Sequence, residues 1–296
     1  MIIDGKESVL VQGITGRQAT FWTERMREYG TAVIGGVNPK KAGETRLGLS
    51  VWGSAVEAAR ERTVDAAVMF IPALGVKAAA LDAIEAGIGK IVILTEHVPV
   101  QDVMELLAAA RRKGVQVLGP NTAGTVTPGE SFVGFMPAFN DTVFRPGRVG
   151  VLSRSGSLGT LICLKLTEAG LGQSAFIGIG GDPIVGTTTA DAVAGLAAHD
   201  GTDAIVMVGE IGGAMEEEAA AAAAAAGKPV IAFIAGRAAP AGRRMGHAGA
   251  IVSGGRGTYD SKRAALEAAG VRVLDTPSEV GPAVAKALGA ALREAG

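Results

Sequence analysis

Residues 8–21 read SVLVQGITGRQATF. A β-branched run ending at Val11 meets Gly13 and Gly16, and the chain then continues at helical spacing. The segment therefore reads as a strand, a tight glycine turn and a helix N-terminus. Backbone amides at such a turn attract phosphate, because the first N–H groups of a helix lack intrahelical partners and carry the positive end of its dipole. The spacing is G-x-x-G and lacks the third glycine of a dinucleotide fingerprint. A nicotinamide cofactor and another diphosphate-bearing ligand both stay open on this turn alone.

The next strand ends at GGVNPKKAG, residues 35–43. A site that prefers NAD usually places an acid there to bind ribose hydroxyls, whereas this chain offers Asn38, Pro39, Lys40 and Lys41. Two lysines beside a phosphate turn favour a ligand with an extra phosphate, as in NADP or the 3′-phosphorylated ADP of coenzyme A, over the plainer reading of a solvated lysine pair.

Further out, short β-branched runs alternate with Ala-rich helical stretches along all 296 residues. They fall at 31–37, 66–71, 90–94 and 116–118, then at 149–152, 174–179, 204–208, 230–234 and 271–274. Strands alternating with helices predict βαβ units and mostly parallel sheets covered on both faces, an α/β fold. The alternation stops between Gly119 and Gly147, a stretch rich in Pro, Gly, Thr and aromatics, which reads as a domain connection. The division expected is a five-stranded N-terminal domain over 1–125, a connection over 126–145 and a second, doubly wound domain over 146–296. The tract EEEAAAAAAAA at 216–226 reads as one helix with an acidic first turn that suits the dipole, ended by Gly227, Lys228 and Pro229.

Composition narrows the function class. The chain is 48% apolar and 19% charged, which predicts a compact globular protein. Its 28 Lys and Arg against 29 Asp and Glu leave a net charge of −1, so no global basic field draws nucleic acid or an anionic membrane. The lone cysteine, Cys163, allows no internal disulfide and is expected to be buried and inert. The opening residues lack the charged and apolar regions of a signal peptide, and no run of about 18 apolar residues appears. The expectation is a cytoplasmic protein.

Further candidate residues fall at the carboxyl ends of predicted strands, the edge where α/β sheets bind ligands. IVILTEHVP, residues 91–99, places Leu94, Thr95 and Glu96 there, with His97 expected on a polar rim. In the second domain GRVGVLSRSG, residues 147–156, feeds a helix, so Ser153, Ser155, Gly156 and Ser157 offer hydroxyls and free amides to an anion. AIVMVGEIGG, residues 204–213, ends a strand at Glu210. His247 stands in GRRMGHAGAIVSGGRG, residues 242–257, where small neighbours leave the imidazole reachable. A neutral imidazole is a nucleophile able to accept a phosphoryl group near neutral pH, and Glu210 could hold its other nitrogen. His199 reads as a surface cap, and no spacing supports a metal site held by this chain alone.

Taken together, VQGITGRQ, YGTAVIGGVNP, LTE, GPN, SRSG, GIGGDPI, VGEIGG and GRRMGHAGAI resemble the α subunit of succinate-CoA ligase, over nearly the whole chain and in order. The resemblance implies a Rossmann-like CoA-binding domain followed by a flavodoxin-like ligase domain. It assigns coenzyme A to Thr15, Gly16, Arg17, Gln18, Lys41, Leu94, Thr95 and Glu96, and a phosphohistidine with its supporting glutamate to His247 and Glu210. It also implies an ATP-grasp β subunit that binds Mg-ATP or Mg-GTP and phosphorylates His247. The phosphoryl group then passes to a carboxylate, whose acyl phosphate the CoA thiol attacks.

Three departures concern the acid. The family pattern after SRSG is T-L-T-Y, with a tyrosine on the carboxylate substrate, and this chain reads SLGT with Thr160 at that place. GPN is followed by Thr122 and Ala123 where the family has Cys and Pro, and the loop after Pro39 reads KKAGET instead of the more glycine-rich form. Ala123 and Gly159 look more like malate-CoA ligase, so malate, citrate, a sulfonated acid or another short carboxylate rivals succinate. An NADP-dependent oxidoreductase and a non-catalytic CoA-binding module are the readings from other classes.

Overall fold

The computed structural model describes residues 1–239, 246–252 and 257–294. Contacts divide the chain into two compact units, the first mainly Ile3–Phe139 with Ile184–Thr187, the second mainly Asn140–Pro183 and Thr188–Gly296.

The first unit runs β1 (Val9–Gln12), α1 (Arg17–Tyr29), β2 (Val33–Val37), β3 (Thr45–Arg46), β4 (Leu49–Trp52), α2 (Ala55–Glu61), β5 (Ala66–Met69), α3 (Val76–Glu85), β6 (Lys90–Ile93), α4 (Val100–Lys113), β7 (Gln116–Leu118), β8 (Gly124–Thr127) and β9 (Ser131–Gly134). Its sheet has seven strands in the order β3-β4-β2-β1-β5-β6-β7, not the five expected. The additional strands β3 and β4 lie in TRLGLSVW, where glycine interrupts any period-two pattern and β3 is exposed. The central strands β1 and β5 pair in parallel, and every residue of both is buried. That double-sided burial explains why they read as continuous apolar runs.

The segment expected as a plain connection contains an antiparallel hairpin, β8–β9, whose residues are all buried. Its polar side chains are satisfied: the hydroxyls of Thr127 and Ser131 donate to the Ile3 carbonyl at 2.8 and 2.6 Å. A buried hydroxyl without such a partner would cost about 1–3 kcal/mol. The Thr and Gly content that suggested a loop thus belongs to strands.

The second unit runs β10 (Pro146–Ser153), α5 (Gly156–Glu168), β11 (Gln173–Gly178), α6 (Thr189–Ala197), β12 (Ala204–Glu210), α7 (Met215–Glu218), α8 (Ala220–Ala224), β13 (Val230–Ala235), α9 (Tyr259–Ala268), β14 (Arg272–Leu274) and α10 (Val280–Glu294). These five strands are parallel in the order β14-β13-β12-β10-β11, the doubly wound order of flavodoxin-like folds. Phe144 stacks edge-on against Phe176 at 5.8 Å in the core, both rings fully buried. The alanine tract is two helices, α7 and α8, not one, with the break at Ala219. Alanine favours helix throughout, so the break comes from tertiary anchoring: Glu216 in the first turn is drawn wholly into the interior.

Each sheet reverses its winding at one place. In the first unit this lies between β1 and β5, in the second between β10 and β12. The crevice beyond the carboxyl ends of strands at such a switch point is where α/β sheets bind ligands.

Candidate active site

At the first switch point β1 ends in the Gly13–Gly16 turn. Gly13 has φ +84°, and the carbonyl of Phe70 packs so close that only glycine fits. Its N–H donates to Val37 O at 2.8 Å, and the Gly16 N–H donates to Gly13 O at 2.9 Å. Gly16 caps α1 without a side-chain hydrogen bond, and no acid sits in the first helical turn, so the positive end of the helix is left for a ligand. Asn38 Nδ2 donates to the Thr15 hydroxyl at 2.5 Å, tying the turn to the end of β2.

Two clefts flank this turn and share Phe70, Ile71 and Pro72 at the end of β5. One, of about 870 Å³, brings Gly16, Arg17 and Gln18 together with Leu94, Thr95 and Glu96. The other, of about 670 Å³, is lined by Gly13, Asn38, Pro39 and Lys40. Lys41 and Thr15 line neither cleft. Lys41 is exposed, 3.7 Å from Glu44, and Thr15 acts on the turn through Asn38. The Thr95 hydroxyl donates to Ile71 O at 2.7 Å, so its side chain braces the end of β5. His97 lies at the surface with φ +60°.

At the second switch point the structure brings Glu210 and His247 together. Glu210 ends β12 with its side chain 9% exposed, and its Oε2 is 2.8 Å from Nδ1 of His247, itself 30% exposed. The other carboxylate oxygen is 3.3 Å from Nη2 of Arg154. The Glu210 hydrogen bond, ahead of its charge, raises the His247 pKa; Asp182 adds to this, while burial and Arg154 oppose it. Holding Nδ1 against a carboxylate fixes the tautomer with Nδ1–H and leaves Nε2 for chemistry.

Backbone fits closely around the imidazole. A Cβ on Gly181 would stand 2.7 Å from His247 Cδ2 and 2.8 Å from Nδ1, and one on Gly249 would meet Arg154 Nη2 at 2.8 Å. The Ala250 N–H donates to His247 O, and the Gly249 N–H donates to Gly181 O at 3.2 Å. Arg237 Nη1 donates to Asp275 Oδ1 at 2.7 Å and the Tyr259 hydroxyl to the same oxygen at 3.2 Å.

The serines expected at the anion site surround the start of α5. Ser155 is the N-cap, accepting the Leu158 N–H at 3.4 Å, with the Ser157 hydroxyl 3.3 Å away and no acid in the first turn. Ser153 donates to Ser155 O at 2.7 Å and shapes this corner. The Thr160 hydroxyl turns back to the Gly156 carbonyl at 2.8 Å. At Gly159 a Cβ would come 2.5 Å from the Phe176 ring, so that ring fills the space a side chain would take. His199 follows α6, its Nδ1 3.0 Å from the Thr202 hydroxyl. Cys163 is buried, and burial pushes its thiol pKa up.

Sequence reasoning missed what lies beneath Glu210. Glu216 and Lys262 are wholly buried and paired, and Arg154 reaches the same carboxylate at 3.5 Å. The signal available was Lys262 itself, which shares the inward face of α9 with Tyr259 and Leu266, a place a lysine occupies only when paired.

The comparisons with known proteins follow this geometry. The family model described as CoA binding domain matches residues 4–97, and that described as CoA-ligase matches residues 152–272. The chain is 47% identical over 280 residues to the α subunit of ADP-forming succinate-CoA ligase from Methanothermobacter thermautotrophicus, covering 95% of this chain and 94% of that one. The chain belongs to the succinate-CoA ligase α-subunit family. Within that family's reach it is also 42% identical, over 95% of its length and 96% of the relative's, to an ADP-forming sulfoacetate-CoA ligase subunit from Bilophila wadsworthia. ATP citrate lyase from Methanothrix soehngenii, solved with citrate and coenzyme A, shares the fold with a TM-score of 0.85 at 24% identity. All of this chain aligns with it, and the chain spans 52% of its length. The α/β fold and the resemblance expected from the motifs are both borne out, and the chemical class is that of an acid-thiol ligase with a coenzyme A-binding domain. Among the described residues no helix is long and apolar enough to cross a membrane.

Proposed function

We propose that this chain is the α subunit of a nucleoside-diphosphate-forming carboxylate-CoA ligase in which His247 carries a phosphoryl group between nucleotide and acid. The observation that supports this most directly is the 2.8 Å contact between His247 Nδ1 and Glu210 Oε2, at a switch point, a contact that turns Nε2 away from the carboxylate. In the first transfer Nε2 attacks the terminal phosphorus of ATP or GTP held with Mg by an ATP-grasp β subunit, and the bond to the nucleoside diphosphate breaks. Glu210 accepts the Nδ1–H throughout, offsetting the positive charge the ring gains. In the second, a carboxylate oxygen of the acid attacks the same phosphorus and the P–N bond breaks. The CoA sulfur then attacks the acyl carbon, and inorganic phosphate leaves.

Each step needs positioning and charge stabilisation more than covalent help. The N-terminus of α5, with Ser153, Ser155, Gly156 and Ser157, suits the phosphoryl oxygens. Gly16, Arg17 and Gln18, on a turn braced by Thr15, suit the diphosphate of coenzyme A. Exposed Lys41 suits its 3′-phosphate, and Leu94, Thr95 and Glu96 border the same cleft.

The acid is open between succinate and a related short acid. Thr160 turned back on its own helix and Phe176 over Gly159 favour a pocket unlike one with a tyrosine at position 160. Malate or a sulfonated acid such as sulfoacetate is the second reading.

The test is to co-purify the chain with its β partner, incubate with Mg-ATP or Mg-GTP, and map acid-labile phosphate by peptide mass. The phosphorylated complex is then offered coenzyme A with succinate, malate, citrate or sulfoacetate singly. Phosphate on His247 discharged by one acid is expected and names the substrate. Absence of phosphate with both nucleotides, in a folded complex, overturns the relay and returns an NADP- or CoA-binding module to consideration.

A further inference from the structure

Behind the His247–Glu210 pair lies a second layer of charge that the proposed chemistry does not use. Glu216 belongs to α7, yet its side chain reaches back beneath the end of β12. There its Oε1 accepts the backbone N–H of Glu210 at 3.1 Å and lies 3.5 Å from Arg154 Nη1, while its Oε2 pairs with Lys262 Nζ. Arg154 Nη1 and Lys262 Nζ both donate to the Gly212 carbonyl at 2.9 Å. Gly209 permits this reach, since a Cβ there would stand 2.6 Å from Glu216 Oε1. Glu217 is the remaining acid nearby, 3.9 Å from Lys262 and accepting from the Ser261 hydroxyl.

A buried ion pair is poor value as pure stabilisation. Removing two charges from water costs about as much as their attraction returns, and a well-packed apolar pair of similar volume is commonly as stable. What this pair supplies that leucine and methionine would not is directional. Glu216 holds the main chain of Glu210 by its N–H and, with Gly212, fixes the guanidinium of Arg154. Arg154 Nη2 in turn stands 3.3 Å from Glu210 Oε1 as an ion pair without a hydrogen bond, and Oε2 meets the imidazole.

We propose that Glu216, charge-balanced by Lys262, is a positioning residue that sets the Glu210 carboxylate and through it the orientation of His247 toward its phosphoryl donor. This rests on reading His247 as the phosphoryl acceptor. Among the described residues the groups that act on the imidazole are Glu210, Arg154 and Asp182, and those that act on Glu216 are Arg154 and Lys262.

Two double variants of the full chain separate positioning from packing. Glu216→Gln with Lys262→Met is neutral and keeps an oxygen for the Glu210 N–H; Glu216→Leu with Lys262→Met is neutral and removes it. The NMR titration of His247, which needs no partner subunit, is expected to stay near wild type in the first. In the second the midpoint should move down, because Glu210 no longer holds Nδ1. In the complex with the β subunit, phosphorylation at saturating nucleotide should fall by about tenfold or more in the second variant alone, with KM for nucleotide unchanged. Equal titrations in the two variants overturn the proposal. In the unmodified chain the Glu210 amide is expected to exchange slowly, and fast exchange there overturns it without any variant, which covers the case where a double variant does not fold. Absence of wild-type phosphorylation concerns only the reading of His247 as acceptor and leaves the titration and exchange results to decide the role of Glu216.

Discussion

Gly181 and His247 meet with no side chain between them: a Cβ on Gly181 would lie 2.8 Å from Nδ1, the atom that Glu210 holds. The imidazole is therefore placed by backbone and by a carboxylate together.

Gly181→Ala should push the imidazole off Glu210 while leaving the sheet intact. Phosphorylation of His247 in the complex is expected to drop by about tenfold or more, with coenzyme A affinity of the first unit unchanged by titration calorimetry. Retained phosphorylation would mean that the loop tolerates a shift the contact forbids.

The His247 pKa is raised chiefly by its hydrogen bond to Glu210. The sign follows: attack by the neutral ring should grow as pH rises through the raised value, above the ordinary midpoint of about 6.5. In Glu210→Gln the midpoint should move downward, seen in the NMR titration of the ring. The same linkage makes the His247–Glu210 pair stabilise the fold below the unfolded-state pKa, a contribution lost as pH climbs through the raised one. A wild-type midpoint below the ordinary value would refute the assignment.

Asn38→Ala removes the 2.5 Å hydrogen bond to Thr15. Coenzyme A should bind about five- to tenfold more weakly, the equivalent of about 1–1.4 kcal/mol, while phosphorylation of His247 stays as in wild type. A calorimetric Kd equal to wild type would show that the glycine turn holds its shape unaided.

Cys163 is buried and its thiol pKa is pushed up by that burial. A thiol reagent at neutral pH should find no reactive group in the native chain and one after unfolding in guanidinium, because only the thiolate reacts. Fast labelling of the folded protein would place the residue at an opening that the core does not contain.

Much of this was legible in advance where one pattern ruled. The runs at β1, β5 and β12, and the stretch of β10 from Val149 to Ser153, are buried on both faces, so their apolar continuity spoke plainly, and Glu210 and Gly16 followed from the ends of those strands. The strands that escaped, β3, β4, β8 and β9, are short and interrupted or built from Thr and Gly. Their identity rests on partners such as Ile3, which lies 124 residues from Thr127, and local pattern cannot announce that. Glu216 escaped for another reason. In a run of three glutamates any one looks like a dipole charge, and only tertiary packing selects which turns inward.

Asp275 Oδ1 takes both Arg237 Nη1 and the Tyr259 hydroxyl, so the chain just past β13 and the first residue of α9 are moored on one oxygen. Joining two points distant in sequence costs chain entropy that grows only slowly with their separation, and here a single carboxylate oxygen bears both joins. Loss of that one side chain should therefore release both moorings together, as a single event and not two.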